Sequence, residues 1–180
     1  MAQKFSEHEN LIIQTYMNFI WLWEMHNLEF VRSHEYKKLN FIDKFTQNMI
    51  AERGVINQGT IPVAFYIMLV IPRETIFNLY KDKYDEINLY IAEELNPEVE
   101  TTYKFDRGRI DYLRHVRNAI SHMNFEMTTE VDYVVFKDEN PRTDEKFICK
   151  FSNLDLGMII EKLRAVHVDY IECIKKKHAT

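Results

Sequence analysis

Residues 114–125, RHVRNAISHMNF, gather groups that bind phosphate and move protons. Arg114, Arg117, His115, His122, Asn118 and Ser121 are interleaved there with a full set of apolar residues. Histidine changes charge near neutral pH, so it can take a proton from a nucleophile or hand one to a leaving oxygen. Arginine stays cationic and offers a planar fork to phosphate oxygens, which stabilises charge building up in a transition state. An asparagine between them can hold the phosphate or orient the attacking group. The chemistry that these residue types suit together is phosphoryl transfer.

A helix over 107–125 is the element that must position them, with Asp106 as its cap. At about 100° per residue it sorts into two faces. Ile110, Leu113, Val116, Ile120 and Met123 share an apolar arc with Tyr112 and Ala119 beside it. Asp111, Arg114, His115, Asn118, Ser121 and His122 share the opposite one. Asn118 and His122 lie one above the other at i,i+4. Arg117 and His122 are five residues apart and diverge by about 140° around the helix. One chain does not bring them together by helix geometry alone.

The rest of the chain reads as helices with one exception. Ser6 and Glu9 form a capping-box pattern that opens a helix over 7–32, with Trp21 and Trp23 on different faces. A second helix spans 39–53 and stops at Gly54, and 55–60 is loop. IPVAFYIMLVIPRETIFNLY is a central buried helix bent near Pro72. Residues 82–95 form another amphipathic helix, and 96–103 a linker. VDYVVFKD and KFICKFS alternate as a two-stranded hairpin around the turn ENPRTDE. Asn153 or Asp155 caps a last helix to Lys177, with Leu156, Ile159, Ile160, Leu163, Val166, Tyr170 and Ile174 inward. The expected fold is mainly α, a helical bundle with one β-hairpin inserted before the C-terminal helix, in a single domain over 1–180.

Composition narrows the functions. A net charge of −5 argues against a general nucleic-acid coat protein. Within 104–117, however, Lys104, Arg107, Arg109, Arg114 and Arg117 face only Asp106 and Asp111, a basic island suited to one phosphate. No Gly-rich phosphate loop is present, which argues against NTP hydrolysis. No metal-ligand spacing is visible, so no metal or cofactor is expected, and Cys149 and Cys173 read as free thiols. The longest apolar run is too short for a bilayer. MAQKFSEHEN has no basic-then-apolar leader, and the expectation is a cytoplasmic protein with no membrane partner.

RNAISH, Arg117 to His122, resembles the Arg-polar-x3-His motif of the HEPN family, all-helical proteins many of which are metal-independent ribonucleases. The likeness includes the polar residue directly after the arginine, here Asn118, and the place of the motif late in the penultimate helix. Bare spacing is weak, since a second Arg/His pair, Arg109 with His115, exists without the polar residue. The resemblance implies a homodimer through the helix over 107–125, with the motif residues of two chains converging across a two-fold axis. It implies cleavage of RNA by its own 2′-OH, giving a 2′,3′-cyclic phosphate. His122 would be the general acid/base, Arg117 the transition-state stabiliser and Asn118 the orienting group. Arg114, Arg109 and His115 are candidate substrate contacts. A role as a toxin or anti-phage effector with an antitoxin or defence partner is a family expectation. The alternatives are a non-catalytic HEPN-like module binding RNA, nucleotide or protein, and a purely structural dimerisation domain.

Overall fold

Ser6 starts the first helix as its spacing predicts. Its hydroxyl accepts the Glu9 N–H at 3.2 Å, and the Glu9 carboxylate accepts the Ser6 N–H at 2.8 Å. The computed structural model describes residues 5–73, 75–127 and 132–178. The first four residues of the expected leader-free start, Glu74 of the central helix and Val131 at the head of the expected hairpin lie outside them.

Helix α1 (Glu7–Asn27) ends short of residue 32, because Glu29 turns into the left-handed region at φ 49° before a 3-10 turn, Phe30–Arg32. Ahead of the helix expected over 39–53 lies a separate short helix, α2 (His34–Lys38), and the expected one starts only at Lys44, as α3 (Lys44–Arg53). Asp43 starts the latter by accepting the Phe45 N–H at 2.9 Å. Gly54 ends α3 at φ 81°, a conformation that costs glycine nothing. The central apolar segment forms α4 (Thr60–Phe65) and a π-helical turn, Tyr66–Val70, and breaks at Pro72 before the short α5 (Ile76–Leu79). Helix α6 (Lys81–Tyr90) runs into a second π-helical turn, Ile91–Leu95.

The hairpin is present as β3 (Tyr133–Asn140) and β4 (Glu145–Ser152), in register from Tyr133↔Ser152 to Asn140↔Glu145. It is the middle of a larger sheet. Glu98–Thr101, expected as linker, is edge strand β1 on β4, and Phe125–Met127 is edge strand β2 on β3, giving the antiparallel order β1-β4-β3-β2. Val134 and Phe136 of β3 and Phe147, Cys149 and Phe151 of β4 turn one face of the sheet into the core.

Helix α7 (Tyr112–Ser121) lies between that face and the π-helical turn after α4. Helix α8 (Asn153–His178) closes the bundle with all seven predicted inward residues buried. Each fully buried Leu or Ile of that stripe contributes about 2 kcal/mol of transfer free energy. Its cap is a reciprocal pair in which Ser152 Oγ accepts the Asp155 N–H and Asp155 Oδ2 accepts the Ser152 N–H, both at 3.1 Å. No helix among the described residues is long and apolar enough to cross a membrane.

Candidate active site

Helix α7 starts five residues later than its sequence suggests, at a different aspartate. Asp111 accepts the Arg114 N–H at 3.2 Å and caps the helix. The buried Asn88 of α6 locks this start. Its Nδ2 donates to Asp111 at 2.9 Å, and its Oδ1 accepts the Leu113 N–H at 3.0 Å. Asp106, expected as the cap, is instead buried within a 3-10 turn, Lys104–Arg107. The far end closes in a Schellman turn, in which Asn124 N–H donates to Ala119 at 2.8 Å and Met123 N–H to Ile120 at 3.2 Å. Met123 takes the left-handed position, φ 54°, and is 75% exposed rather than part of the apolar arc. His122 is the last residue before that turn and is exposed, its N–H held by Asn118 O at 3.0 Å.

His115 is not on the solvent face. It is 0% exposed, stacked on Phe147 with ring centroids 4.1 Å apart, so it has no surface through which to touch substrate. Its Nδ1 lies 2.7 Å from Asp138 and its Nε2 3.2 Å from Asp106. Both ring nitrogens thus face a carboxyl group in the core. Asp138 also accepts from Asn118 Nδ2 at 3.0 Å. Burial would raise the Asp138 carboxyl, but hydrogen bonds from His115 and Asn118, with the charges of His115 and Arg114, hold it below its ordinary range. The polar residue of the motif is thus tied through one carboxylate to a buried histidine.

The arginines divide. Arg109 is exposed and donates to the backbone oxygen of Asp85, away from the motif. Arg114 stacks its guanidinium 3.8 Å over the Phe105 ring. Arg114 and Arg117 line a cleft of about 280 Å³ with Arg73, Phe77, Asn78 and Asp111. Arg117 is half-buried, and burial with the neighbouring Arg73 lowers its proton affinity; Asp111 opposes this and Arg114 adds to it. His122 is not among the residues lining the cleft. Beyond it, Pro62, Val63, Tyr66, Ile67, Ile120 and Met123 form an apolar groove at the end of α7.

Sequence reasoning missed Arg73, Asp138 and the inward role of Asp106. Asp138 had a legible signal, since Val134, Phe136 and Asp138 alternate onto one face and a carboxylate at a core position demands a partner. Arg73 had none, because it reaches α7 only through the tertiary fold.

Comparison with protein families matches residues 6–174 to the family described as HEPN pEK499 p136. Comparison with curated proteins and with solved structures gives no match.

Proposed function

The chain belongs to the HEPN pEK499 p136 family, and on that premise we propose that it is a metal-independent endoribonuclease acting as a homodimer. The observation that carries this reading is Arg117 of RNAISH seated in a cleft of three guanidiniums, with Asn118 anchored beside it and His122 exposed at the helix end. In the reaction, one His122 takes the proton of the RNA 2′-OH as the O2′–P bond forms. The P–O5′ bond breaks with its electron pair moving to O5′, which receives the proton that the same His122 took from the 2′-OH. The products are a 2′,3′-cyclic phosphate and a 5′-OH end. Arg117 stabilises the charge on the phosphoryl oxygens. Asn118 spends its Nδ2 on Asp138, which leaves its carbonyl oxygen to orient the attacking hydroxyl.

Two features support the dimer. Arg117 lines the cleft and His122 does not, and on this reading a second copy brings its His122 to that cleft. The apolar groove lined by Tyr66 and Met123, both exposed, lies next to His122 and offers an apolar surface on which a second copy would pack. A toxin or anti-phage role, with an antitoxin or defence partner, follows from the family expectation.

The test is cleavage of RNA in excess EDTA. Activity should persist, an RNA with a 2′-deoxy sugar at the cleaved position should remain intact, and His122→Ala should lower the rate by about 10²–10⁴-fold. Cleavage that needs magnesium or survives loss of His122 would move the reading to a binding module. The separation of Arg117 and His122 in one chain favours that second reading if the protein is a monomer in solution.

A further inference from the structure

Asp138 sits where a strand should carry an apolar residue. It follows Val134 and Phe136 on the inward face of β3, and the register sets it directly across from Phe147 of β4. This pair makes a seat for the His115 ring, which lies flat on Phe147 with centroids 4.1 Å apart and stacks with Phe105 at 5.9 Å. The same ring reaches Asp138 with Nδ1 and Asp106 with Nε2, and Asp106 in turn accepts from the Thr101 hydroxyl at 2.5 Å. Strand β1, the turn Lys104–Arg107, α7 and β3 together determine where the Asp138 carboxylate stands. Its Oδ2, which faces His115 at 2.7 Å, also accepts from Asn118 Nδ2 at 3.0 Å. The carboxyl is held below its ordinary range, so it is ionised and has no hydrogen to give. The Asn118 group that faces it is therefore the amide nitrogen, and the planar amide turns its oxygen the other way.

We propose that Asp138 is a positioning residue, which fixes the Asn118 amide so that position 118 offers the site an acceptor and never a donor, with His115 and Asp106 holding the carboxylate in place. Asn118 is half-buried and stands one helical turn from Arg114, which lines the cleft, and one turn from His122, whose N–H it holds. Without an anchor, an asparagine amide turns over with little preference between its two orientations. An acceptor that orients the attacking hydroxyl works only when it points the right way, and a misplacement of about 1 Å can cost about 10²-fold. The arginines still meet the phosphate when the amide is misdirected, so the loss falls on kcat more than on KM. The effect on the reaction rests on the ribonuclease reading above; the fixed amide itself does not.

Two measurements on the full chain separate them. The side-chain N–H₂ signals of Asn118 are assigned by their absence in Asn118→Ala. In wild type one of the two hydrogens should lie downfield and exchange slowly, because it is bonded to a carboxylate, and Asp138→Ala should return it to the place of a free amide. In RNA cleavage, Asp138→Ala should lower kcat by about 10- to 10²-fold, with KM changed by less than about threefold. In the Asn118→Ala background the same substitution should cost no more than about twofold further, since nothing is left to position. A substitution that only weakened the fold would lower kcat alike in both backgrounds. Asp138→Asn keeps the shape and serves if Asp138→Ala does not fold; it should show the same dependence on Asn118, at about tenfold in kcat. An unmoved Asn118 signal, an unchanged kcat, or an equal loss in both backgrounds overturns the proposal and leaves the ribonuclease reading standing. A wild-type chain that leaves RNA intact overturns that reading and the part of Asp138 in the reaction. The Asn118 signals then decide the fixed amide alone.

Discussion

Replacing Asp138 by Asn keeps its shape and removes the charge that faces His115 at 2.7 Å and anchors Asn118 at 3.0 Å. Both His115 and Asp138 are buried, with side chains 0% and 7% exposed, so water cannot substitute for the lost partner. A hydrogen bond to a buried carboxylate contributes about 1.5–3 kcal/mol, and Asp138 accepts two. A domain of this size has about 5–15 kcal/mol in total, so the variant should fold but unfold at clearly lower denaturant. The assay is urea unfolding followed by circular dichroism, reading the midpoint at an unchanged slope. The second arm uses His115→Phe, whose ring keeps the stacking on Phe147 without a polar edge. In that background Asp138→Asn should cost about 2 kcal/mol less, a coupling within the range found for contacting groups. A cost below about 1 kcal/mol in wild type, or an equal cost in both backgrounds, would refute the assignment of Asp138 as the buried carboxylate that holds His115.

Other outcomes follow from the same geometry. His167 is fully buried, and burial pushes its pKa down to about 4, against 6.5 when free. The unfolded chain therefore takes up a proton that the folded one refuses, so stability is complete above pH 6.5 and falls as the pH drops toward 4, by about 3 kcal/mol. Unfolding measured across that window should show the loss, His167→Leu should flatten it, and a flat wild-type profile would contradict it. At the apolar groove, Met123→Asp places a carboxylate beside Tyr66 and Val63, on the surface proposed for the dimer contact. Sedimentation should shift from dimer to monomer with loss of cleavage, whereas a dimeric, active variant would remove this groove from the interface.

Long periodic elements were legible because their own residues determine them. The α8 stripe repeats at helical spacing through seven buried positions, and β3 and β4 alternate cleanly between faces. The edge strands were not legible. Glu98–Thr101 carries two glutamates directly after a proline, and Phe125–Met127 is three residues long. Each becomes a strand only because β4 or β3 offers it a ladder. The start of α7 misled for a related reason. Both Asp106 and Asp111 suit a cap, and the choice is made by Asn88 and His115, residues on other parts of the fold or on the helix itself. Arg117, Asn118 and His122 were recognisable as a motif, while the contacts around them, from Arg73 through Asp138, arise from chain segments 20 or more residues away.

The proposed site is shared between two chains, and mixing two inactive variants tests it most directly. Arg117→Ala and His122→Ala chains, each inactive alone, should exchange subunits when incubated together. If Arg117 of one chain works with His122 of the other, each mixed dimer contains one intact site. Random exchange should then restore about a quarter of wild-type RNA cleavage, since half of the dimers are mixed and each has one of two sites. Recovery near that level, absent when subunit exchange is blocked, is the predicted result. Mixed dimers that form and remain inactive beside an active wild type would show that each chain works alone and contradict the shared site.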